Sequence, residues 1–484
     1  MRAAENAAFA RGVTAEALMD QAAEGIARTV SCFFPAPGLC IVFAGKGNNA
    51  GDAFASAELL QDSGWEIDLR LAFAEKDLGD LARKKLASLR QRAKPALPNR
   101  TGLSVILDGL LGLGATPPLR EPVRTACREI NRLRRSENAF VVALDLPTGL
   151  DGDSGEADDD CIRADITATI GFAKQGLLAD RALNFVGRLE VVELQELRRE
   201  EPAVTVVATA AALRDLLPRR EFGAYKNQFG RVGVVAGSKG FTGAAVLCAL
   251  GALRGGAGLV ELFVPEDIYP IVAASAPPEV MVKPIPSYRS LSEQSIDVWA
   301  VGPGLGRAHA SEIVSFLEHA AEPIVIDADG LNILAQDMPV LQRNQGPRLL
   351  TPHPGEMQRL FPGGETSRAE LAQRFCAEFP VALLLKGSRT IVAERGRPSS
   401  YNTTGNPGIA TGGMGDVLTG VCSALIAQKL SLYDAARLGA WLCGRAAELA
   451  IFNGNASEQS LLPSNVTENL GRAFCDLQLS PRAV

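Results

Sequence analysis

Histidine is nearly missing from this 484-residue sequence, with three residues in all. That leaves little room for histidine-rich metal chemistry. Positive charge is not in excess either: 49 Lys and Arg stand against 55 Asp and Glu, for a net charge of -6. Without a strong basic footprint, nucleic acid is excluded as the main partner. The runs Arg132-Leu133-Arg134-Arg135 and Arg198-Arg199 are short and read as solvated helix faces. No apolar run reaches about 18 residues without a charge or turn former, so no membrane span is expected. The start, Met1-Arg2-Ala3-Ala4-Glu5, lacks the apolar stretch of a signal peptide. CxxC spacing is absent. The nine cysteines are scattered and read as small buried residues of a reducing, cytoplasmic chain, rather than as disulfides or a zinc site.

Hydrophobic residues at 47% and charged residues at 21% are ordinary for a globular protein. The length is too great for one core and sets a prior of two or three domains. Aromatics are only 6% while glycines number 48, which suits an α/β fold with tight turns and close backbone approach to ligands.

Thr14 and the spacing of Leu18, Met19, Ala22, Ile26 and Val30 predict a helix over 13–30. Strands are expected at Leu39 to Ala44, Trp65 to Phe73, Val105 to Leu107 and Phe140 to Leu144. A helix is expected from Ala53. The alternation predicts a mostly parallel sheet with helices on both faces. Leu189 to Pro202 is charged and loosely patterned, Val204 to Ala208 reads as a strand, and Leu217-Pro218-Arg219-Arg220 resembles a linker. We place a domain boundary near 215, giving domains 1–215 and 216–484. A second α/β pattern begins at Gly230, with strands at Arg231 to Ala236, Gly258 to Val264, Val298 to Val301, Pro323 to Ile326, Arg348 to Leu350 and Val381 to Leu385.

In the first half, Gly45-Lys46-Gly47-Asn48-Asn49-Ala50-Gly51-Asp52 follows a buried strand and opens a helix. Amides at such a junction favour an anion. Asp68 follows at about the spacing of a dinucleotide fold's ribose acid. Asp108, followed by Gly109-Leu110-Leu111-Gly112-Leu113-Gly114, ends one strand. Asp145, in Asp145-Leu146-Pro147-Thr148-Gly149-Leu150-Asp151, ends another. Open parallel sheets bind ligands outside the carboxyl ends of their strands, so the three clusters are expected to meet in one crevice.

In that order, these segments resemble the NAD(P)HX epimerase domain, over most of 1–215. The resemblance implies a Rossmann-like three-layer domain acting on C6 of hydrated NADH or NADPH. It implies substrate contacts at Asn48, Asn49, Ala50, Gly51 and Asp52, and at Gly112, Leu113, Gly114, Ala115, Thr116, Pro117 and Pro118. It implies K+ near Asn49, Asp108 and Thr148, where oxygen-rich ligation suits a hard cation. Asp145 is the implied acid/base and a further substrate contact. Ala50 and Ala53 replace glycines of the family turn, and Thr148 replaces a serine. If either alanine needs positive φ, it costs about 1 kcal/mol.

The densest constellation in the second half is Asn406-Pro407-Gly408-Ile409-Ala410-Thr411-Gly412-Gly413-Met414-Gly415-Asp416, opening an apolar helix from Val417. Free amides there make an anion hole for a phosphoryl group, and Asp416 could deprotonate an attacking hydroxyl. Gly302-Pro303-Gly304-Leu305-Gly306, Asp327-Ala328-Asp329-Gly330-Leu331-Asn332, Thr351-Pro352-His353-Pro354-Gly355-Glu356 and Lys386-Gly387-Ser388-Arg389-Thr390 each end a strand. Together these are similar to the ADP- or ATP-dependent NAD(P)HX dehydratase of the ribokinase-like superfamily, from about 222 onward. The resemblance implies a three-layer α/β/α fold. It implies nucleotide contacts at Lys386, Gly387, Ser388, Arg389, Thr390 and Gly415, and substrate contacts at Ala244, Gly304, Gly306, His353 and Asp416. Asp416 is the implied catalytic residue, and Mg2+ is expected with the ADP or ATP phosphates. The partners implied are NADHX or NADPHX and the nucleotide, and a homo-oligomer is compatible with this reading. The alternative is a ribokinase-like small-molecule kinase carrying a non-catalytic N-terminal binding or scaffold domain.

Overall fold

The computed structural model describes all residues except 93–101, 198–202, 218, 364–366, 453, 455 and 480–484. Arg198, Arg199 and Pro218 of the basic run and the linker lie outside the described residues. The chain divides into two units, Met1–Pro202 and Ala203–Ala483. The boundary expected near 215 falls inside the second unit. Strand β7 (Thr205–Val207) explains the difference: it pairs with Ser399–Tyr401 at the edge of the second unit's sheet, so the chain has already changed units there.

The first unit carries a parallel six-stranded sheet of β1 (Leu39–Ala44), β2 (Glu66–Leu71), β3 (Ser104–Gly109), β4 (Phe140–Leu144), β5 (Ile166–Ile170) and β6 (Arg188–Val192), in the order β2-β1-β3-β4-β5-β6. Alternate residues feed two cores. Cys40, Val42 and Ala44 pack with helices Ala15–Phe33, Asn48–Asp62 and Asp80–Gln91. Ile41 and Phe43 pack with helix Val123–Glu137 on the other face. The three layers thus follow from strand periodicity. β5 and β6 were not expected. Both are short, and β6 lies within the stretch read as loosely patterned.

In the second unit a ten-stranded sheet runs β10-β9-β8-β11-β12-β13-β14-β15-β16-β7. Its strands are β8 (Arg231–Val235), β9 (Leu259–Pro265), β10 (Met281–Ile285), β11 (Val298–Val301), β12 (Ile324–Ile326), β13 (Arg348–Leu350), β14 (Ala382–Leu385), β15 (Ile391–Glu394) and β16 (Ser399–Tyr401), besides β7. β15 is antiparallel to both neighbours and the other pairings are parallel. Val234, Ala300, Val325, Leu349 and Leu384 pack on one face with residues of helices Thr242–Arg254, Met414–Ala427, Leu432–Phe452 and Pro463–Leu479. Trp299 packs edge-on against Phe316 of helix Ala310–His319. Helices Thr242–Arg254 and Met414–Ala427 approach at backbone distance. A Cβ on Gly420 would lie 2.0 Å from the Cys248 carbonyl oxygen, so only glycine permits this seat for the helix.

Among the described residues no disulfide joins any of the nine cysteines, and no helix is long and apolar enough to cross a membrane.

Candidate active sites

The strand order reverses between β1 and β3 in the first unit and, apart from the edge strand β7, between β8 and β11 in the second. A crevice forms at such a point, beyond the carboxyl ends of the strands.

The first site gathers there. Helix Asn48–Asp62 begins at Asn48, with Gly47 as its N-cap, rather than at Ala53. The Asn-Asn segment is therefore the first helical turn and not a loop. Asn48 is exposed, while Asn49, Ala50, Gly51 and Asp52 are buried. Neither Ala50 nor Ala53 has positive φ; both are fully buried members of the hydrophobic cluster. The expected strain is thus absent, and Ala50 presents no side-chain surface to a substrate.

Asp108, fully buried at the end of β3, accepts from the Thr148 hydroxyl and the Thr148 amide, each at 2.8 Å. Burial pushes its carboxyl up to about 6, against the pull of the Thr148 and Leu110 donors. Asn49 Nδ2 donates to the Leu111 carbonyl at 3.0 Å, and the Leu111 amide donates to Thr148 Oγ1 at 3.1 Å. Asn49 Oδ1 is buried and takes no donor among the described residues. Asn49, Asp108 and Thr148 therefore do converge, with one acceptor oxygen left over. In the loop over this cluster, Gly112, Ala115 and Pro117 are half-buried, and Leu113, Gly114, Thr116 and Pro118 are exposed.

Asp145 directly follows β4 with φ +67, uncommon for a residue bearing a Cβ. Its carboxylate accepts from Lys174 Nζ and from the Ile170 amide, the latter at 3.1 Å. Lys174 also donates to Thr169 Oγ1 at 3.0 Å and the Ile170 carbonyl at 2.9 Å. Beside this pair, burial first and then the charges of Asp145 and Glu5 push the Asp52 carboxyl well above its usual range, while Lys174 opposes them. Sequence reasoning missed Lys174 and the role of Glu5. The available signal was Gly171-Phe172-Ala173-Lys174, a further cluster at a strand end, but β5 itself had not been read as a strand. Asp68 is not a ribose ligand of the expected kind. It lies midway along β2, paired with Arg70 at 2.8 Å.

The second site is built at the ends of β8, β11, β12, β13 and β14. Ser238 Oγ donates to the Gly304 carbonyl at 2.8 Å, and the Gly306 amide to Asp329 Oδ2 at 2.9 Å, which ties three loops together. A Cβ on Gly302, at φ +125, would lie 1.9 Å from the Asp327 carbonyl oxygen. Ala244 is half-buried on the adjoining helix, and its Cβ would lie 3.0 Å from one built on Gly304.

Asp327, 1% exposed, accepts from Lys386 Nζ at 2.6 Å through Oδ1 and from Thr419 Oγ1 at 2.9 Å through Oδ2. Glu356 Oε2 is 3.9 Å from the same ammonium. Against burial, which opposes it, the charges of Asp327 and Glu356 hold the Lys386 ammonium above its ordinary value. Helix Met414–Ala427 starts beside this pair, since a Cβ on Gly415 would meet Lys386 Nζ at 3.1 Å. Its first-turn amides have no intrahelical acceptor. Burial, followed by the Asp327 charge, pushes the Asp416 carboxyl up to about 7, with Lys386 pulling the other way. A base that titrates near 7, at a helix N-terminus and beside an ammonium, suits deprotonation of a hydroxyl attacking a phosphoryl group.

Gly387 and Ser388 are exposed and Thr390 is half-buried, but Arg389 is 1% exposed. Its side chain faces the interior. His353 caps helix Pro354–Leu360, with its Nδ1 accepting from the Gly355 amide at 3.0 Å. Its ring is half-exposed, with Nε2 3.5 Å from Glu356 Oε1. Among the described residues, no group of three or more His, Cys, Asp or Glu side chains forms a metal cage.

Two family models match the two units: "YjeF-related protein N-terminus" over residues 15–176 and "NAD(P)H-hydrate dehydratase" over 232–470. The bifunctional NAD(P)H-hydrate repair enzyme Nnr of Moorella thermoacetica is 37% identical over 448 residues, covering 85% of this chain and 83% of that relative. Its Escherichia coli counterpart is 34% identical over 465 residues, covering 93% and 88%. Among solved structures, the ADP/ATP-dependent NAD(P)H-hydrate dehydratase from Bacillus subtilis, co-crystallized with ATP/Mg2+, matches with TM-score 0.51 and 28% identity, over 56% of this chain and 98% of its own. A ribokinase-like superfamily protein from Enterococcus faecalis matches with TM-score 0.50 and 26% identity, over 58% and 99%. The second unit is thus ribokinase-like in fold. Because both halves match their family models and the relatives align over most of their length, the chain belongs to the bifunctional NAD(P)H-hydrate repair enzymes.

Proposed function

We propose that the chain repairs hydrated nicotinamide cofactors in two steps, with the first unit equilibrating the R and S epimers at C6 and the second dehydrating the S form. The observation that carries the second step is Asp416, titrating at about 7 at the start of helix Met414–Ala427 beside Lys386. Asp416 takes the proton of the C6 hydroxyl while its oxygen forms a bond to the terminal phosphorus of ADP or ATP. The bridging P–O bond breaks, releasing AMP or ADP. The C6–O bond then breaks, phosphate leaves with the electron pair, and loss of a ring proton restores the dihydronicotinamide double bond. Lys386 and the free amides of Gly415 and its neighbours offset the charge on the phosphoryl oxygens. Gly387, Ser388 and Thr390 line the nucleotide side, and Ala244, Gly304, Gly306 and His353 the hydrate side. Mg2+ would arrive with the nucleotide phosphates.

In the first unit, Asp145 moves the proton needed to invert the hemiaminal-type carbon, and Asn48, Asp52 and the loop 112–118 hold the substrate. The buried, unpartnered Asn49 Oδ1 beside the Asp108 carboxylate and the Thr148 hydroxyl fits a K+ ligand set. Bound there, K+ would fix the loop through Leu111 and neutralise Asp108.

The test is incubation with mixed R and S NADHX or NADPHX, Mg2+, K+ and either ADP or ATP, following near-ultraviolet absorbance of the restored reduced cofactor. Full recovery supports both steps, once spontaneous epimerisation is subtracted. Recovery of one epimer alone removes the epimerase step. A stable phosphorylated product in place of inorganic phosphate would replace the dehydratase by a kinase.

A further inference from the structure

Lys174 carries an inference that rests on the reading of Asp145 as the acid/base of the first unit. Its side chain is 6% exposed. An ammonium has three N–H donors. Those of Lys174 are all occupied, by the Asp145 carboxylate, by Thr169 Oγ1 at 3.0 Å and by the Ile170 carbonyl at 2.9 Å. A buried lysine beside a reacting carbon is otherwise a ready proton donor or amine nucleophile. Here no donor is left for a substrate oxygen.

The Asp145 carboxylate is held on one side only. Lys174 Nζ and the Ile170 amide both meet Oδ1, and among the described residues no donor meets Oδ2. The backbone at Asp145 is in the left-handed region, with its amide bonded to the Ala168 carbonyl at 2.9 Å. A residue in that region keeps its place only when its surroundings over-determine it. The charges that act on the neighbouring Asp52, on helix Asn48–Asp62, are Asp145 itself, Glu5 on helix Arg2–Ala10, and Lys174. Two of the three are acidic, and Lys174 is the one cation among them; with the Ile170 amide it holds the Asp145 carboxylate.

We propose that Lys174 is a positioning residue of the epimerase reaction, fixing Asp145 as a carboxylate with Oδ2 open to the substrate proton while keeping its own. It acts through Asp145 and does not touch the reacting carbon.

The test uses Lys174→Met and Lys174→Gln, which remove the charge, and Lys174→Arg, which keeps it. Two readouts are needed. Carbon-13 NMR of aspartate carboxyls, with Asp145→Asn giving the assignment, reads Asp145 ionisation without turnover. The pH profile of kcat/KM for interconverting the R and S hydrates, separated by chromatography, reads its catalytic use. The expected result is that the Asp145 titration and the acid limb rise together by at least about one pH unit in the Met variant. Activity should recover to within a few-fold at high pH, and Arg should restore the wild-type limb. Should the Met variant fail to fold, Gln decides the matter, because it keeps amide donors without the charge. An Asp145 titration left in place, or activity lost evenly at every pH, would overturn the proposal. A wild-type chain that does not epimerise would overturn the epimerase reading itself, whereas the NMR titration separately tests the hold of Lys174 on Asp145.

Discussion

The sharpest consequence of the second site is the pH dependence of dehydration and its response to two neighbouring charges. Asp416 is raised to about 7 by burial and by Asp327, and lowered by Lys386. A base works only when ionised. Dehydratase kcat/KM should therefore climb with pH and level off above about 7, with about a tenth of the plateau at pH 6 and about a hundredth at pH 5. Asp416→Asn should remove the limb and lower the plateau by roughly 10²- to 10⁴-fold. Lys386→Met removes the one charge that favours the carboxylate and leaves Asp327 unbalanced, so the limb should move up. Asp327→Asn removes the charge that disfavours it and leaves Lys386 unbalanced, so the limb should move down. Each displacement should be roughly one pH unit or more. The assay is initial-rate cofactor recovery at saturating nucleotide, which separates the limb from the weaker nucleotide binding expected of Lys386→Met. A flat wild-type profile, or two variants moving the limb the same way, would refute the assignment of Asp416 as base.

Gly302→Ala should destabilise the second unit by about 2 kcal/mol or more, read as a lowered melting temperature, because its Cβ would lie 1.9 Å from the Asp327 carbonyl oxygen at φ +125. Restoring the family glycines by Ala50→Gly or Ala53→Gly should cost about 1 kcal/mol each without raising the epimerisation rate, since both alanines are helical and buried. K+ should raise the melting temperature of the first unit where Li+ does not, and Asn49→Ala or Asp108→Asn should abolish the difference; an equal response to both ions would remove the proposed ligand set.

Strand-end clusters were the most legible part of the sequence. Asp108, Asp145, Asp327 and Lys386 follow short apolar runs, and in a parallel sheet the ends of such runs share one edge. Burial was not legible. Nothing in Lys386-Gly387-Ser388-Arg389-Thr390 says that Arg389 turns inward while its neighbours stay outside, because a strand-end turn alternates faces in a way that only the surrounding packing fixes. Nor did the spacing show that the helix expected from Ala53 begins at Asn48 and takes in Ala50. Glycine-rich turns and helix first turns share composition, and the N-cap at Gly47 decides between them. A Cβ on Gly109 would lie 2.4 Å from the Ala53 Cβ, so the Ala53 methyl fills space that a glycine on the facing strand leaves open. The unit boundary was placed late for a similar reason: β7 is a three-residue edge strand, too short to announce which sheet it joins.

The two sites share an electrostatic plan that neither half shows alone. Each holds a buried Asp–Lys ion pair, Asp145–Lys174 in the first unit and Asp327–Lys386 in the second, beside another carboxyl pushed upward. Pairs of acids driven apart in this way divide the work of proton donor and acceptor. The division need not be the same in both. In the second unit Asp327 has both oxygens engaged, Oδ1 by Lys386 and Oδ2 by Thr419. This is consistent with the raised Asp416 as the proposed base. In the first unit Asp145 has its donors on Oδ1 alone, so the acid proposed to move the proton keeps an open oxygen, with the raised Asp52 beside it. Inverting a carbon needs a proton both taken and returned, which calls for an acceptor and a donor together. Attack of a hydroxyl on phosphorus needs only the acceptor. The open carboxylate oxygen of the first unit therefore suits a proton that is both taken and returned, while in the second unit Asp416 serves the phosphoryl step and the ring proton is lost only later, after phosphate has left.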